Sequence, residues 1–168
     1  QPAGGGFMRS QIPSFRLPPE VLDEEVDYVL DMGIQSHFDT YVESLKSIID
    51  KGYDAIFVGT GAPRGSDLDL PGRQACEKQI HVGIEWLGSV AFDHIQKVGK
   101  RVLVLGGGNT AMDCCRTARR LGGEDVKVVV RSEFARMKAS PWEIEDAQEE
   151  DIPILNNHVP REFVHENG

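Results

Sequence analysis

The feature that most constrains the fold is a short apolar run that leads directly into three glycines. Residues 101–105, RVLVL, have the length and the apolar, valine-containing composition of a buried strand in a parallel sheet. The turn that follows fits the pattern G-x-G-x-x-A and consists of Gly106, Gly107, Gly108, Asn109, Thr110 and Ala111. In this pattern the first glycine permits a tight turn, the second lets backbone amides approach a diphosphate, and the final alanine allows helix and strand to pack closely.

The residues after the turn predict a helix and a second strand. A helix is expected over 109–121, because apolar residues recur at helical spacing, whereas Arg116 is expected on the solvent side with its neighbouring arginines. Gly122 and Gly123 would end the helix, and residues 126–130 form a second apolar run. A strand, helix and strand within about thirty residues predict a dinucleotide site, with the diphosphate at the positive end of the helix.

The end of the second strand indicates which dinucleotide is preferred. An acidic residue there would bind the ribose 2′-hydroxyl of NADH, whereas cations suit the 2′-phosphate of NADPH. Here Arg131 occupies the position, and Arg136 and Lys138 follow it. Guanidinium groups bind phosphate through charge-assisted bidentate hydrogen bonds, so the sequence favours NADPH. The alternative, which Glu133 supports, is that these are ordinary solvated loop charges.

Composition excludes several classes of function. The chain has 168 residues and a formal net charge of −9, which argues against nucleic acid or an anionic membrane surface as a partner. No run is long and apolar enough to cross a bilayer, and no signal peptide is evident, so a cytoplasmic location is expected. The three cysteines and five histidines have neither metal-ligand spacing nor a nucleophile–base pattern, so we assign no metal ligand and no catalytic side chain.

The remaining sequence predicts further helices and strands. Helices are expected over 20–32, 41–51, within 79–98, and from an N-cap at Ser140 to about Glu149. Strands are expected over 34–38, 53–58, 153–155 and 161–165, and a loop over 63–73. The strand over 53–58 ends in Gly59, Thr60 and Gly61, a turn that either approaches a ligand with bare backbone or is simply tight. Residues 1–19, rich in glycine, proline and apolar side chains, are expected to lie on a surface without forming a regular helix.

Four stretches together resemble the small (β) subunit of NADPH-dependent glutamate synthase and its relatives, which include the pyridine-nucleotide segment of dihydropyrimidine dehydrogenase. The most specific stretch is GGFMRSQIPSFRLP, residues 5–18, and the others are YDAIFVGTGA (53–62), LPG (70–72) and GGGNTAMDC (106–114). The family usually has Tyr-Gly where this chain has Ser10-Gln11, and often Asp where it has Asn109. The resemblance covers nearly the whole chain.

The resemblance implies a fold, cofactors and site residues. The fold is α/β: a Rossmann-like three-layer parallel sheet of the type with two dinucleotide-binding domains, here incomplete. Residues 1–75 would be a remnant of the FAD-binding domain, and residues 76–168 the first β-α-β half of the NAD(P)H-binding domain. The residues implied to lie against FAD are Gly6, Met8, Ile12, Pro13, Arg16, Leu17, Gly59, Thr60 and Gly61. NADPH would occupy the later glycine turn and the cations of Arg131, Arg136 and Lys138.

The implied reaction is hydride transfer from NADPH to FAD, with electrons passed to iron–sulfur clusters in a partner such as a large subunit. A homo-oligomer is also compatible with the sequence. The family's cysteine-rich region and its FAD-phosphate turn would precede Gln1, so we expect the chain to be an internal fragment that is not catalytically complete. The alternative is a non-catalytic nucleotide-binding or subunit-docking module.

Overall fold

The computed structural model describes residues 1–62 and 64–166; Pro63, Asn167 and Gly168, which belong to the predicted loop and to the end of the predicted second domain, lie outside this part. Six α-helices of the described residues are α1 (Gly6–Ser10), α2 (Pro19–Leu30), α3 (Leu45–Ile49), α4 (Gly83–Ala91), α5 (Asn109–Arg120) and α6 (Pro141–Glu149). The strands are β1 (Arg101–Leu105), β2 (Asp125–Val129) and β3 (Ile154–Leu155), and short 3₁₀ turns span Glu77–Gln79 and Phe134–Arg136.

The three strands form one parallel sheet in the order β1-β2-β3. Val104 of β1 lies opposite Val128 of β2, which in turn lies opposite Ile154 of β3. Parallel strands need a crossover between them, and helices α5 and α6 provide the two crossovers. The predicted α/β class and the β-α-β unit after residue 100 are therefore confirmed.

The hydrophobic core lies between one face of this sheet and helices α4, α5 and α6. Its fully buried members include Met112 and Cys115 of α5, Val128 of β2 and Ala147 of α6. The expectation that β1 is buried on both faces is wrong, because Leu103 is 59% exposed. Within the described residues β1 is an edge strand with one uncovered face, and a single sequence cannot reveal which faces of an apolar run find a neighbour.

Several predicted elements in the first part of the chain are absent or shorter. Residues 34–38 and 53–58 form no strand, and Phe57 is 96% exposed. A strand requires a hydrogen-bonded neighbour, and the described part of the chain offers none to these residues. The helix predicted over 41–51 is reduced to α3, whereas α2 matches its predicted helix closely. The expectation that residues 1–19 form no regular helix is wrong, because Gly6–Ser10 form α1.

Two predictions near the end of the chain have opposite outcomes. Helix α6 begins directly after Ser140, and the strand candidate over 153–155 is confirmed as β3. Residues 161–165 form no strand. The amide of Phe163 instead donates to the carbonyl of Pro71.

One face of α5 carries a line of polar side chains that meets α6. We call Asn109, Asp113, Arg116 and Arg120 the polar stripe; helical periodicity places these four positions on one side of α5. Arg116 pairs with three carboxylates of the α6 segment, at 3.4 Å from Glu143, 2.8 Å from Asp146 and 2.8 Å from Glu150. Its predicted solvent position is wrong, since the residue is only 7% exposed.

The burial of Arg116 predicts a large effect on stability. Arg116→Met replaces the guanidinium by an unbranched apolar side chain, so Glu143, Asp146 and Glu150 each lose one cation. Glu143 keeps Arg16 and Glu150 keeps Arg120, so we expect unfolding to become easier by about 1.5–3 kcal/mol, the value of hydrogen bonds to charged groups. Lys100→Met removes a cation from an ion pair whose side chains are 79% and 65% exposed, and should change stability by less than about 1 kcal/mol. Urea unfolding followed by circular dichroism measures both, and similar shifts for the two variants would contradict a buried network.

Candidate functional site

The glycine turn between β1 and α5 has a different requirement at each glycine. Gly106 has φ +145°, which favours glycine, and its amide donates to the carbonyl of Val129 at 3.0 Å. A Cβ on Gly107 would lie 2.7 Å from a methyl group of Val130, so close packing requires glycine there. Gly108 has an ordinary extended backbone, φ −104° and ψ 176°, and a Cβ on it would meet no atom within 4 Å. Neither the backbone nor packing explains the third glycine.

The turn presents backbone donors that the described residues leave without acceptors. The amides of Gly107, Gly108, Asn109 and Thr110 donate no hydrogen bond to any group in residues 1–62 and 64–166, whereas the next amide, of Ala111, donates to Gly108 at 2.9 Å. Gly106 to Gly108 are half-buried and Asn109 and Thr110 are exposed, so the turn is not enclosed in the core. Free amides and empty space at the start of a twelve-residue helix suit a diphosphate.

The segment before α6 closes one side of the turn. The amides of Lys138 and Ala139 both donate to the carbonyl of Gly107 at 2.9 Å. Asn109 accepts a hydrogen bond from the amide of Ser140 at 2.7 Å, through its side-chain oxygen. The side chain of Asn109 is therefore committed to the start of α6, and its predicted contribution to a ligand would come from its backbone amide.

The three predicted 2′-phosphate cations all lie in the connection between β2 and α6 and are exposed. Arg131 begins this connection directly after Val130, whose amide pairs with Leu155 of β3. Arg136 pairs with Glu133 at 2.8 Å, although both side chains are largely exposed. Lys138 is joined to the glycine turn by its backbone amide, which donates to Gly107 at 2.9 Å. Of the three cations, Lys138 is therefore the one whose backbone contacts the turn, and Arg136 has an acidic partner.

The residues implied to lie against FAD fall into two places. The turn of Gly59, Thr60 and Gly61 lies beside the N-terminal segment, because a Cβ on Gly61 would be 3.7 Å from the ring of Phe7. Gly6 begins α1 and Met8 in the same helix is 51% exposed. The structure thus brings these two implied FAD-facing segments together, and leaves apolar side chains exposed next to bare backbone.

The other residues implied to lie against FAD belong to one segment after α1. They are Ile12, Pro13, Arg16 and Leu17, and all four are half-buried. Arg16 does not offer a free cation to a ligand. Its Nη1 donates to both carboxylate oxygens of Asp113, at 2.7 and 2.8 Å, and its Nη2 lies 2.5 Å from Glu143. No local pattern predicts this contact, because Arg16 and Asp113 are 97 residues apart in the chain.

The pKa values of two carboxylic acids in this region are displaced in opposite directions. Burial raises the pKa of Asp113, an effect that outweighs the hydrogen bond from Arg16. Burial would also raise the pKa of Glu150, but hydrogen bonds from Arg120 and Arg116 outweigh it and hold that pKa below its ordinary value. Glu150 therefore contributes stability that is present above its ordinary pKa near 4.5 and is lost as the pH falls below it.

Comparison with known proteins gives a family and several relatives. The pyridine nucleotide-disulphide oxidoreductase family matches residues 14–168. The β subunit of an NADPH-Fe(3+) oxidoreductase from Geobacter sulfurreducens is 34% identical over 98% of this chain and 25% of its own length. A putative glutamate synthase (NADPH) small chain from Cereibacter sphaeroides is 34% identical over 95% of this chain and 41% of its own length.

A homologue of the PreT subunit of NAD-dependent dihydropyrimidine dehydrogenase, from Salmonella typhi, is 32% identical over 95% of this chain and 39% of its own length. The chain therefore spans between a quarter and about two fifths of the length of these relatives. The resemblance inferred from the four sequence stretches is confirmed by these matches. None of the helices in residues 1–62 and 64–166 has the length and apolarity needed to span a membrane.

The cysteines of this chain are not placed for thiol–disulphide chemistry. All three are free and buried, as expected for Cys114 and Cys115 from their helical spacing. Burial raises the pKa of both Cys114 and Cys115 to about 12. The thiolate is the reactive form of cysteine, and at a pKa this high few thiols are ionised near neutral pH.

This burial predicts that the two thiols are unreactive in the folded protein. At pH 8 a pKa of about 12 leaves roughly one thiol in ten thousand ionised, so iodoacetamide should not modify Cys114 or Cys115 within minutes. In urea both should be alkylated rapidly, which serves as the control. Mass spectrometry of the peptide that contains both residues gives the measurement, and rapid labelling of the folded chain would show that the helix is not packed as described.

Proposed function

This chain belongs to the pyridine nucleotide-disulphide oxidoreductase family, and from that premise we propose that it is the NADPH-binding portion of a flavin-dependent oxidoreductase resembling the glutamate synthase small chain. The family implies FAD and NAD(P)H as cofactors. We assign NADPH to residues 76–168 and a part of the flavin-binding domain to residues 1–75. The relatives are named as subunits or chains of larger oxidoreductases, so we also propose a partner that accepts the electrons through iron–sulfur clusters.

The observation that carries the proposal is the empty space at Gly108. Glycine there is required neither by the backbone, which is extended, nor by a neighbour, since no atom lies within 4 Å of a Cβ. Four consecutive amides of the same turn, from Gly107 to Thr110, donate to no group of the described residues. Neither backbone conformation nor packing within the protein requires glycine at this position. A diphosphate that binds at the positive end of the helix does require it, because a side chain would block its close approach.

The chain's own residues would bind and orient the coenzyme without transferring protons. The amides of Gly107 to Thr110 would hold the diphosphate, and Arg131 and Lys138 would bind the 2′-phosphate. Arg136 would contribute less, because Glu133 already partners it. When bound, NADPH supplies the hydride and FAD accepts it, so that the protein contributes position and electrostatics. No acid or base among the side chains is required, which agrees with the absence of a nucleophile–base pattern in the sequence.

The flavin-facing part of the proposal rests on the contact between the turn of Gly59 to Gly61 and α1. Phe7 lies against that turn, and Met8 and Phe57 are exposed nearby in the chain. Apolar side chains beside bare backbone fit one face of an isoalloxazine ring. We therefore keep Gly6, Met8, Ile12, Pro13, Leu17, Gly59, Thr60 and Gly61 as candidate flavin contacts, and assign Arg16 a different role below.

The first test replaces Gly108. Gly108→Val should leave stability within about 0.5 kcal/mol, because an extended backbone suits valine and nothing occupies the space. The same change should abolish NADPH and NADH binding measured by calorimetry, since the side chain fills the diphosphate's approach. Gly99→Val, before the other end of β1, is the matched control and should keep binding. If Gly108→Val binds both nucleotides as the wild type does, the coenzyme does not occupy this turn.

The second test addresses coenzyme preference. Arg131→Ala should weaken NADPH binding about 10- to 150-fold while leaving NADH binding nearly unchanged, because a charge-assisted contact to phosphate is worth about 1.5–3 kcal/mol. Arg101→Ala removes the same charge from the opposite end of a strand and controls for net charge. Equal losses of both nucleotides in Arg131→Ala would remove the case for 2′-phosphate recognition. A chain that binds NADPH but whose longer parent holds no flavin would favour the non-catalytic module.

A further inference from the structure

The segment Phe15–Arg16 reaches across the fold to α5 and α6. Arg16 bridges Asp113 of α5 and Glu143 of α6, with its two terminal nitrogens directed to different carboxylates. Phe15 lies beneath the guanidinium groups of Arg120 and Arg116, whose central carbons are 3.9 and 4.8 Å from the ring centroid. Two adjacent residues of the N-terminal segment thus make four contacts with the polar stripe and its partner helix.

Breaking the contact between Arg16 and its two carboxylates would be costly, because both carboxylates are buried. The side chains of Asp113 and Glu143 are 7% and 3% exposed, and that of Arg16 is 25% exposed. Two buried carboxylates without a cation between them would repel one another and lose solvation. Arg16 supplies that cation from a distant part of the chain, so it is occupied within the protein and is not free for a cofactor.

The contact also lies close to the proposed nucleotide site along one rigid element. Asp113 follows Asn109 by one helical turn on the same face of α5, and Asn109 is held at the start of α6 by its bond with Ser140. The free amides of Asn109 and Thr110 belong to that first turn. A shift of Asp113 relative to Glu143 would therefore move the amides that are proposed to hold the diphosphate.

We propose that Arg16 is a positioning residue that couples nucleotide binding at the glycine turn to the order of the N-terminal segment, residues 12–17. By locking Asp113 to Glu143 it fixes the first turns of α5 and α6 relative to one another. Coupling between two sites is reciprocal, so a nucleotide that orders the first turn of α5 also stabilises the docked segment. This inference rests on the proposed function and deepens it, because the same segment is the one assigned to the flavin side.

The experiment is hydrogen–deuterium exchange of the amides in residues 12–17, with and without saturating NADPH. In the wild type, NADPH should slow this exchange by at least about 5-fold, the low end of ordinary coupling between sites. In Arg16→Gln the slowing should disappear, and the NADPH dissociation constant should rise by a factor similar to the protection lost. Arg16→Lys keeps one charge but cannot bridge both carboxylates in the same way, so it should restore part of the effect.

The matched control is Arg9→Gln. Arg9 anchors the same N-terminal region, but to Asp23 and to the carbonyl of Gly4, without touching α5. This variant should keep both the NADPH affinity and the NADPH-dependent protection of residues 12–17, even if it lowers the unfolding midpoint. Loss of protection in Arg9→Gln equal to that in Arg16→Gln would overturn a specific role for Arg16.

The outcomes separate this inference from the proposed function. A wild-type chain that binds no NADPH overturns the proposed function and the coupling with it. A wild type that binds NADPH with no change in exchange at residues 12–17 overturns the coupling alone, and this result needs no folded variant. Lower stability in Arg16→Gln with unchanged affinity and protection would show that Arg16 only stabilises the fold.

Discussion

The physical constraint on which the structure depends is the burial of charge between α5 and α6. The polar stripe would be a poor surface for a helix in a Rossmann-like fold unless every charge on it had a partner. Glu143 lies between Arg16 and Arg116, and Glu150 lies between Arg116 and Arg120. Because these side chains are shared, removing one weakens the pairing of several others, and the side chain of Glu143 at the centre of the network is only 3% exposed.

The ion pairs do more than join two helices. On the opposite side, α5 contributes Met112, Cys115 and Ala118 to the hydrophobic core against β1 and β2. Its orientation is therefore fixed by apolar packing on one side and by hydrogen-bonded charge on the other. The glycine turn begins at this helix, so the direction of its free amides follows from both. Helices α1 and α2 have much less apolar support, since Leu22 is the one apolar side chain buried in them, and the Phe15–Arg16 contact gives the N-terminal segment a directional anchor.

The candidate nucleotide site was largely predictable because its signal is local. Strand, glycine turn, helix and strand occupy consecutive residues, and each requirement is visible in residue type: β-branched residues in the strand, glycine at the turn, alanine where helix meets strand. The structure added a distinction between the glycines. The positive φ of Gly106 favours glycine, and the nearby side chain of Val130 leaves no room for a Cβ on Gly107, whereas Gly108 borders open space. Only the position of neighbouring atoms could separate these reasons.

The surroundings of the residues implied to lie against FAD were less accessible to prediction. The resemblance implied that Arg16 lies against FAD, but no spacing rule connects it to Asp113 or predicts that Arg116 turns inward. The strand expected over residues 53–58 failed for a related reason. Its apolar composition is real, but a strand exists only when another strand supplies hydrogen bonds, and the described residues supply none.

Local residue patterns were enough to predict the elements whose causes lie within a few residues of each other: the β-α-β unit, the glycine turn, the start of α6 after Ser140 and the inward-facing cysteines. The tertiary structure decided the pairings of groups distant in the chain: which face of β1 is covered, where Arg16 is committed, and why Arg116 is buried. The reason is that backbone preference and hydrophobic periodicity act locally, whereas the desolvation of a charge depends on which partners the folded chain brings to it.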